Sequence, residues 1–312
     1  MATQTLAEAK KLIHNDLNQG VAEDIFTTSP IWGAIPWTSY EGQGIIHNRE
    51  NVLGNAQHLA VGATITAKAA STTVQQVFTS TTTIGDAELN GLVAAQSSSA
   101  GVDQMAVEVS SKAKSVGRLL QGGMATGDGT GANLNSLHTL CDASQFTVAS
   151  AGQALSFELL DELLALIKAK DGEVDFLMAP QKIINAYRTL VRALGGVNET
   201  MAFDMGNGRS RNVDVYNNIP IFVNDYLSVA ETANGAALTG GGLSSMYGGC
   251  WDDGTRKIGA SMIHPAGTDV GINVEMVGAK ETADENIVRV KSYSNFANFN
   301  RRGLARLTSL NN

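Results

Sequence analysis

The sequence predicts an α+β chain with extensions that a single compact core does not need. Three observations carry that expectation. Helical periodicity alternates with short apolar strands over residues 102–225. Residues 51–100 hold only three formal charges, Lys68, Asp86 and Glu88. A segment bearing Pro30, Trp32, Pro36 and Trp37 comes before both. Bulk composition agrees with this. Of 312 residues, 43% are hydrophobic but only 6% aromatic, while glycine occurs 33 times. Small residues suit turns, arms and close backbone contacts more than one aromatic-rich core. The formal net charge of −8 argues against a surface built to bind phosphate backbones, which needs clustered Lys and Arg.

Taken in order, Leu6, Ala9, Ile13 and Leu17 predict a short amphipathic helix over residues 5–18. "IFTTSPIWGAIPWTSYEG" then reads as an arm, because its prolines interrupt regular structure. Its tryptophans either dock on a partner or plug their own domain, and at this point both readings stand. "GIIHNREN" and "TTVQQVFTSTTTIGDAEL" read as the two strands of a long hairpin. Such a ribbon is marginal alone, so its own domain or a neighbouring chain must support it. A helix is predicted over 102–121, with Met105, Val109, Val116, Leu119 and Leu120 near one face. Ser156 is read as the N-cap of a leucine-striped helix ending at Gly172. "VDFLMA", 174–179, is a short buried strand, and Pro180 opens a further helix closed by Gly195. Asn217-Asn218 marks a turn inside "NVDVYNNIPIFVND", and strand patterns resume over "RKIGASMIHP", "GINVEMVGAK" and "NIVRVKSYSNFANFN".

Catalytic chemistry finds little support in these residues. "LLQGGMATGDGTGANLNSL" carries five glycines around Asp128 but no lysine, so it is not a Walker A loop. Its glycines follow a helix rather than a strand, so it is not a dinucleotide fingerprint either; it reads as a turn needing positive φ. His14, His47, His58, His138 and His264 lack metal-ligand spacing, and no nucleophile elbow is present. Cys141 and Cys250 are far apart and read as reduced thiols. No stretch approaches the apolar length needed to span a membrane, which predicts a soluble, intracellular product without membrane contact. No catalytic residue, cofactor or metal site is expected.

The order of parts resembles the major capsid proteins of tailed bacteriophages, with the Hong Kong 97-type fold. "IWGAIPWTSY" is similar to that family's N-terminal arm, and "GDGTGANLNSL" to the segment after its spine helix, with Ser136 where a glycine is common. "LDELLALIKAKDGEVDFLMAPQKI" is similar to its peripheral-domain helix, strand and next helix, "NNIPIFVNDYL" to an axial-domain strand, and "IVRVKSYSNFANFNRRGLARLTSL" to its closing strands. The resemblance implies an N-terminal helix and arm at 1–39 and an E-loop hairpin at 40–90. It implies a peripheral (P) domain with spine helix and the first axial connection at 91–195, an axial (A) domain at 196–268, and return strands completing the P domain at 269–312.

What this resemblance implies functionally is a structural coat protein, not an enzyme. Such a chain assembles as pentamers and hexamers into an icosahedral virion shell enclosing double-stranded DNA without sequence-specific binding. Expected partners are further copies, a scaffolding protein, a portal and a decoration or cement protein, with assembly in the host cytoplasm. A charged scaffold-like extension before the arm is lacking, which points to a separate scaffolding protein. Trp32, Trp37, His47, Arg49, Lys68, Phe78 and Asn286 are the candidate contacts between subunits. Some relatives join an E-loop lysine to an asparagine of the adjacent P domain. Lys68 and Asn286, in what reads as a loop, are this chain's nearest counterparts, yet no cross-link is expected, because Lys68 does not align with the reacting position. The rival readings are an encapsulin-type nanocompartment shell, a soluble α/β enzyme, and a tail or decoration protein.

Overall fold

The computed structural model describes residues 31–99, 103–169, 172–197, 199–204 and 210–311; the helix expected over 5–18 lies outside them. A single turn, α1 (Ile31–Ala34), leads to β1 (Trp37–Tyr40), β2 (Ile45–Val52), β3 (Thr72–Phe78) and β4 (Thr81–Asn90). Helices α2 (Gly91–Ser99), α3 (Gln104–Thr126) and α4 (Leu137–Leu140) follow. Next come β5 (Phe146–Gln153), α5 (Phe157–Lys168), β6 (Phe176–Ala179), α6 (Gln181–Ala193), β7 (Thr200–Asp204), β8 (Ser210–Tyr216) and β9 (Ile219–Val223). The last strands are β10 (Ser244–Gly249), β11 (Ala260–Pro265), β12 (Asn273–Ala279), β13 (Glu285–Asn298) and β14 (Leu304–Leu310).

Three sheets result. A seven-stranded mixed sheet has the order β5-β14-β10-β6-β9-β8-β7. A five-stranded sheet has the order β1-β11-β13-β12, with β4 also on β13. Among the described residues β2 and β3 pair only with each other. The sheets cross the expected boundaries at 196–268 and 269–312: β11 joins the five-stranded sheet, whereas β14 sits inside the seven-stranded one. The predicted second hairpin strand is two strands, since β4 leaves the hairpin and pairs with β13 from Thr81↔Ser294 to Asn90↔Glu285. Hydrogen bonds from Ser80 N–H to Tyr40 Oη (3.1 Å) and from Asn295 Nδ2 to Thr79 O (2.7 Å) fix that break.

Period-two alternation divides the seven-stranded sheet between two cores. On β6, Phe176 and Met178 face a core shared with α3, α1 and the five-stranded sheet, where Leu120, Met124, Met262 and Phe296 are buried. Leu177 and Ala179 face the opposite core, filled by Leu160, Leu163 and Ile167 of α5 and Ile183 and Ile184 of α6. Both helices begin where the sequence predicts. The Leu159 amide donates to Ser156 Oγ at 3.3 Å, and Gln181 starts α6 directly after Pro180. Gly195, at φ +72°, closes α6. Asn217 and Asn218, at φ 50° and 64°, make the tight β8–β9 turn.

α3 is longer than predicted. The Ala106 amide donates to the Asp103 N-cap at 3.1 Å, and the helix continues through Gly122 and Gly123 to Thr126. Its 23 residues span about 35 Å. Helical glycine is costly in isolation, but a Cβ at Gly123 would meet Leu134 at 3.2 Å, so the bare backbone lets that segment close in. Only Gly129 and Gly131 of the five glycines have positive φ.

The closing strand carries a fully buried cation. Arg306 is 0% exposed and lies between the rings of Phe146 and Tyr247, 5.4 Å from each. It donates to Glu231 Oε2 at 3.0 Å, Ser245 Oγ at 3.1 Å and His138 Nδ1 at 2.8 Å. A guanidinium only donates, so His138 Nδ1 accepts and its neutral ring carries the proton on Nε2. Burial and the nearby Arg306 charge push the His138 pKa down, holding the ring in that neutral form.

Candidate functional site: the projecting hairpin and its base

The β2–β3 ribbon has two unlike faces. Register pairs Ile45 with Phe78, Ile46 with Val77 and His47 with Gln76. Successive side chains therefore point Ile45, His47 and Arg49 one way and Ile46, Asn48 and Glu50 the other, until the register shifts between Glu50 and Val52. The first set lies over the protein's own body; in the second, Ile46 is 64% exposed. Close approach at the base needs a glycine, because a Cβ on Gly44 would sit 2.6 Å from Phe78 O.

Beyond Val52 and Thr72 the ladder stops, and side chains replace it. Gln57 Oε1 accepts from the Thr66 and Ala67 amides at 2.9 and 2.7 Å, and Asn55 Oδ1 accepts from the Ala69 amide at 2.7 Å. A turn at Ala60–Ala63 contains Gly62 at φ +83°. Leu53 is 75% exposed on this projection, with Leu59, Val61 and Ile65 also exposed. From Asn51 to Gly85 the only formal charge is Lys68. An exposed ribbon of this length with several apolar side chains and a single charge is a surface for contact.

The base is tied down by two devices. Phe78, 4% exposed, joins Tyr40, Ile45, Ile263, Ala297 and Phe299 in a small core, with its ring edge-on to Phe299 at 5.9 Å. His47 contacts Phe299 similarly at 5.8 Å. Arg301 then makes a two-point pair with Asp142, including Nη2 to Oδ1 at 2.9 Å, and donates from Nη1 to Asn51 Oδ1 at 3.0 Å. Burial raises the Asp142 pKa, but the hydrogen bonds from Arg301 and Ser144 outweigh it and bring the carboxyl down to about 2.

The remaining candidates are dispersed. Trp32 and Trp37 are half-buried against their own core, Trp37 edge-on to His264 at 6.2 Å. With Leu120, Val270 and Ile272 they wall an open groove of about 390 Å³. Arg49 is half-buried at the hairpin base, and Lys68 is exposed on the projection. Asn286 is exposed, but it lies within β13 between Leu89 and Ala279, not in the loop its sequence suggests. The outer strand β12, predicted within "GINVEMVGAK", exposes Met276 (81%) beside Val274 and Val277, a surface absent from the sequence-derived contact candidates. Glu275 interrupts its apolar residues, and the sheet order places it at an edge, paired only with β13 among the described residues.

The glycine loop borders an open groove of about 870 Å³, but the donors a phosphate cradle would need are turned inward. Asp128 Oδ1 accepts from Thr130 N at 3.0 Å and Asn133 Nδ2 at 2.9 Å, so its donors are turned onto its own carboxylate. A Cβ at Gly127 would strike Leu134 O at 2.2 Å. Among the described residues no group of three or more His, Cys, Asp or Glu side chains could hold a metal. Cys141 and Cys250 are free buried thiols, their pKa values pushed up by burial to about 12 and about 11. Among the described residues no helix is long and apolar enough to cross a membrane.

No protein-family model and no curated protein matches this sequence. Solved structures do match the fold. An encapsulin complex from Synechococcus elongatus is similar over 99% of this chain and 96% of its own, at 15% identity and TM-score 0.70. The capsid of a native GTA particle covers 97% of each chain at 10% identity and TM-score 0.65. The capsid of the Myoviridae phage XM1 covers 95% of this chain and 97% of its own, at 13% identity and TM-score 0.60. The chain thus has the mixed α+β, Hong Kong 97-like capsid fold.

Proposed function

We propose that this chain is the major capsid protein of a tailed bacteriophage, a non-enzymatic subunit assembling as pentamers and hexamers around double-stranded DNA. The observation that carries the reading is the β2–β3 projection. It exposes Ile46, Leu53, Val61 and Val77 to solvent in the isolated chain, with one formal charge from Asn51 to Gly85. Burying that face against another copy removes apolar surface from water at little desolvation cost. Heterologous contacts of this kind close into rings. Similarity to capsid subunits along nearly the whole chain supports the same reading. Within it, the β2–β3 projection acts as the E-loop and α3 as the spine helix of the P domain, while the sheets exchange strands across the expected P- and A-domain bounds of 91–195, 196–268 and 269–312. Scaffolding, portal and decoration proteins are its further partners.

Negative-stain electron microscopy of the sized protein tests this. Closed shells or rings of five and six subunits are expected. A monodisperse monomer at every concentration and salt tried, with and without scaffold, overturns it. A second reading, an encapsulin-type nanocompartment shell, is favoured by the Trp32–Trp37–Ile272 groove, which could seat an apolar peptide, and by the likeness to an encapsulin. Shells isolated from their source with a protein cargo and no nucleic acid select that reading.

A further inference from the structure

The base of the hairpin holds more positive charge than it neutralises. Arg301 spends its guanidinium on Asp142 and Asn51. Arg49, two residues before Asn51 on β2, has its Nε shut away from solvent without a hydrogen-bond partner. No hydrogen bond or ion pair of Arg49 is present among the described residues. Two guanidiniums and one carboxylate leave a local charge of +1. Arg301 destabilises the Arg49 cation while Asp142 supports it, so the three groups share one electrostatic environment. A half-buried guanidinium with an unsatisfied donor costs free energy in the isolated chain, and that cost disappears when an acceptor arrives.

We infer that the Arg49–Arg301–Asp142 cluster at the hairpin base receives a carboxylate side chain from a second copy of this chain. The inference rests on the shell reading and adds to it the chemistry of one contact. One carboxylate brings the cluster to neutrality, and a chain of net charge −8 carries carboxylates in excess. A nucleic-acid phosphate fits less well. Binding a phosphate backbone takes an array of cations, and apart from Lys68 the projection beyond Arg49 offers none.

The test compares wild type with Arg49→Gln and Arg49→Lys. Thermal unfolding is followed below the assembly threshold, and sedimentation velocity follows assembly across concentration. Arg49→Gln, which removes the unsatisfied guanidinium, is expected to unfold at or above the wild-type temperature yet require about tenfold or more protein to assemble, as truncating one partner of a buried charge pair does. Arg49→Lys, which keeps the charge but not the planar fork, should fall between. Assembly of Arg49→Gln at the wild-type threshold overturns the inference and leaves the shell reading intact. A fall in unfolding temperature for both variants assigns Arg49 to the monomer fold instead. Binding of a short DNA duplex that Arg49→Gln loses, with assembly unchanged, assigns the cluster to phosphate. A wild type that never assembles overturns both readings.

Discussion

The seven-stranded sheet and the β2–β3 hairpin are built from similar residues and use them oppositely. In β6, four consecutive residues are buried because helices cover one face and a second core covers the other. In β2, equally apolar Ile46 and Val52 face solvent, and of its apolar residues Ile45 alone is buried against the body. The difference lies in what surrounds the strands. Buried charge marks the first region, where Arg306 and Glu231 satisfy each other; in the second, charge is confined to Arg49 and Glu50 near the base, and the projection from Asn51 to Gly85 carries Lys68 alone. A region that buries its apolar surface alone can carry an ion pair inside it, whereas an apolar projection waiting for a partner does better with little to desolvate.

Three experiments break or sharpen that contrast. The largest effect belongs to Glu231→Ala, which leaves Arg306 buried and uncompensated and should cost about 3–5 kcal/mol of stability by chemical denaturation. A loss below about 1 kcal/mol would mean the sheet interior tolerates unpaired charge and the contrast fails. An intermediate effect is expected where the two regions are joined. Because the folded Asp142 pKa lies below its ordinary value of 3.8, at about 2, the Arg301 pair contributes fully above pH 3.8 and is lost as pH falls through about 2. Proteolysis near the hairpin base should accelerate in that window, and an Asp142→Asn variant should show no such step. The smallest effect on the isolated chain is expected for Ile46→Ser, within about 0.5 kcal/mol of wild type because the side chain is already in water. The same substitution should impair assembly, and a variant that assembles normally would remove Ile46 from the contact surface.

Local signals carried the helices and failed on what distant residues decide. Ser156, Pro180 and Gly195 announce α5 and α6 because caps act within one turn. The end of α3 was misplaced because Gly122 and Gly123 look like breakers, and only their packing on Tyr226 and Leu134 shows why the helix continues. The Val- and Thr-rich run from Thr72 to Leu89 reads as one strand because nothing at Thr79–Ser80 signals a turn; the break is imposed by Tyr40 and Asn295. β5 and β10, "FTVASAGQ" and "SSMYGG", escaped notice since small and glycine residues weaken the strand pattern, though neighbours on both sides hold β10 in place. The hairpin itself was apparent from composition. The Arg306 network was not, because its members come from Glu231, Ser245 and His138, and no spacing rule joins them.

The placement of β13 and β14 has a consequence for how the chain is made. Thr81 meets Ser294 across 213 positions, and β14 is an interior strand between β5 and β10 although it is the last strand of the described chain. Neither large sheet can close on the ribosome until these late strands have emerged, whereas the hairpin, joining neighbours in sequence, can form early. Folding that waits on such distant pairings is slow. A nascent chain would therefore display its sticky projection well before the body that anchors it exists, and its yield in the cell should depend on chaperones holding that ribbon apart until synthesis ends.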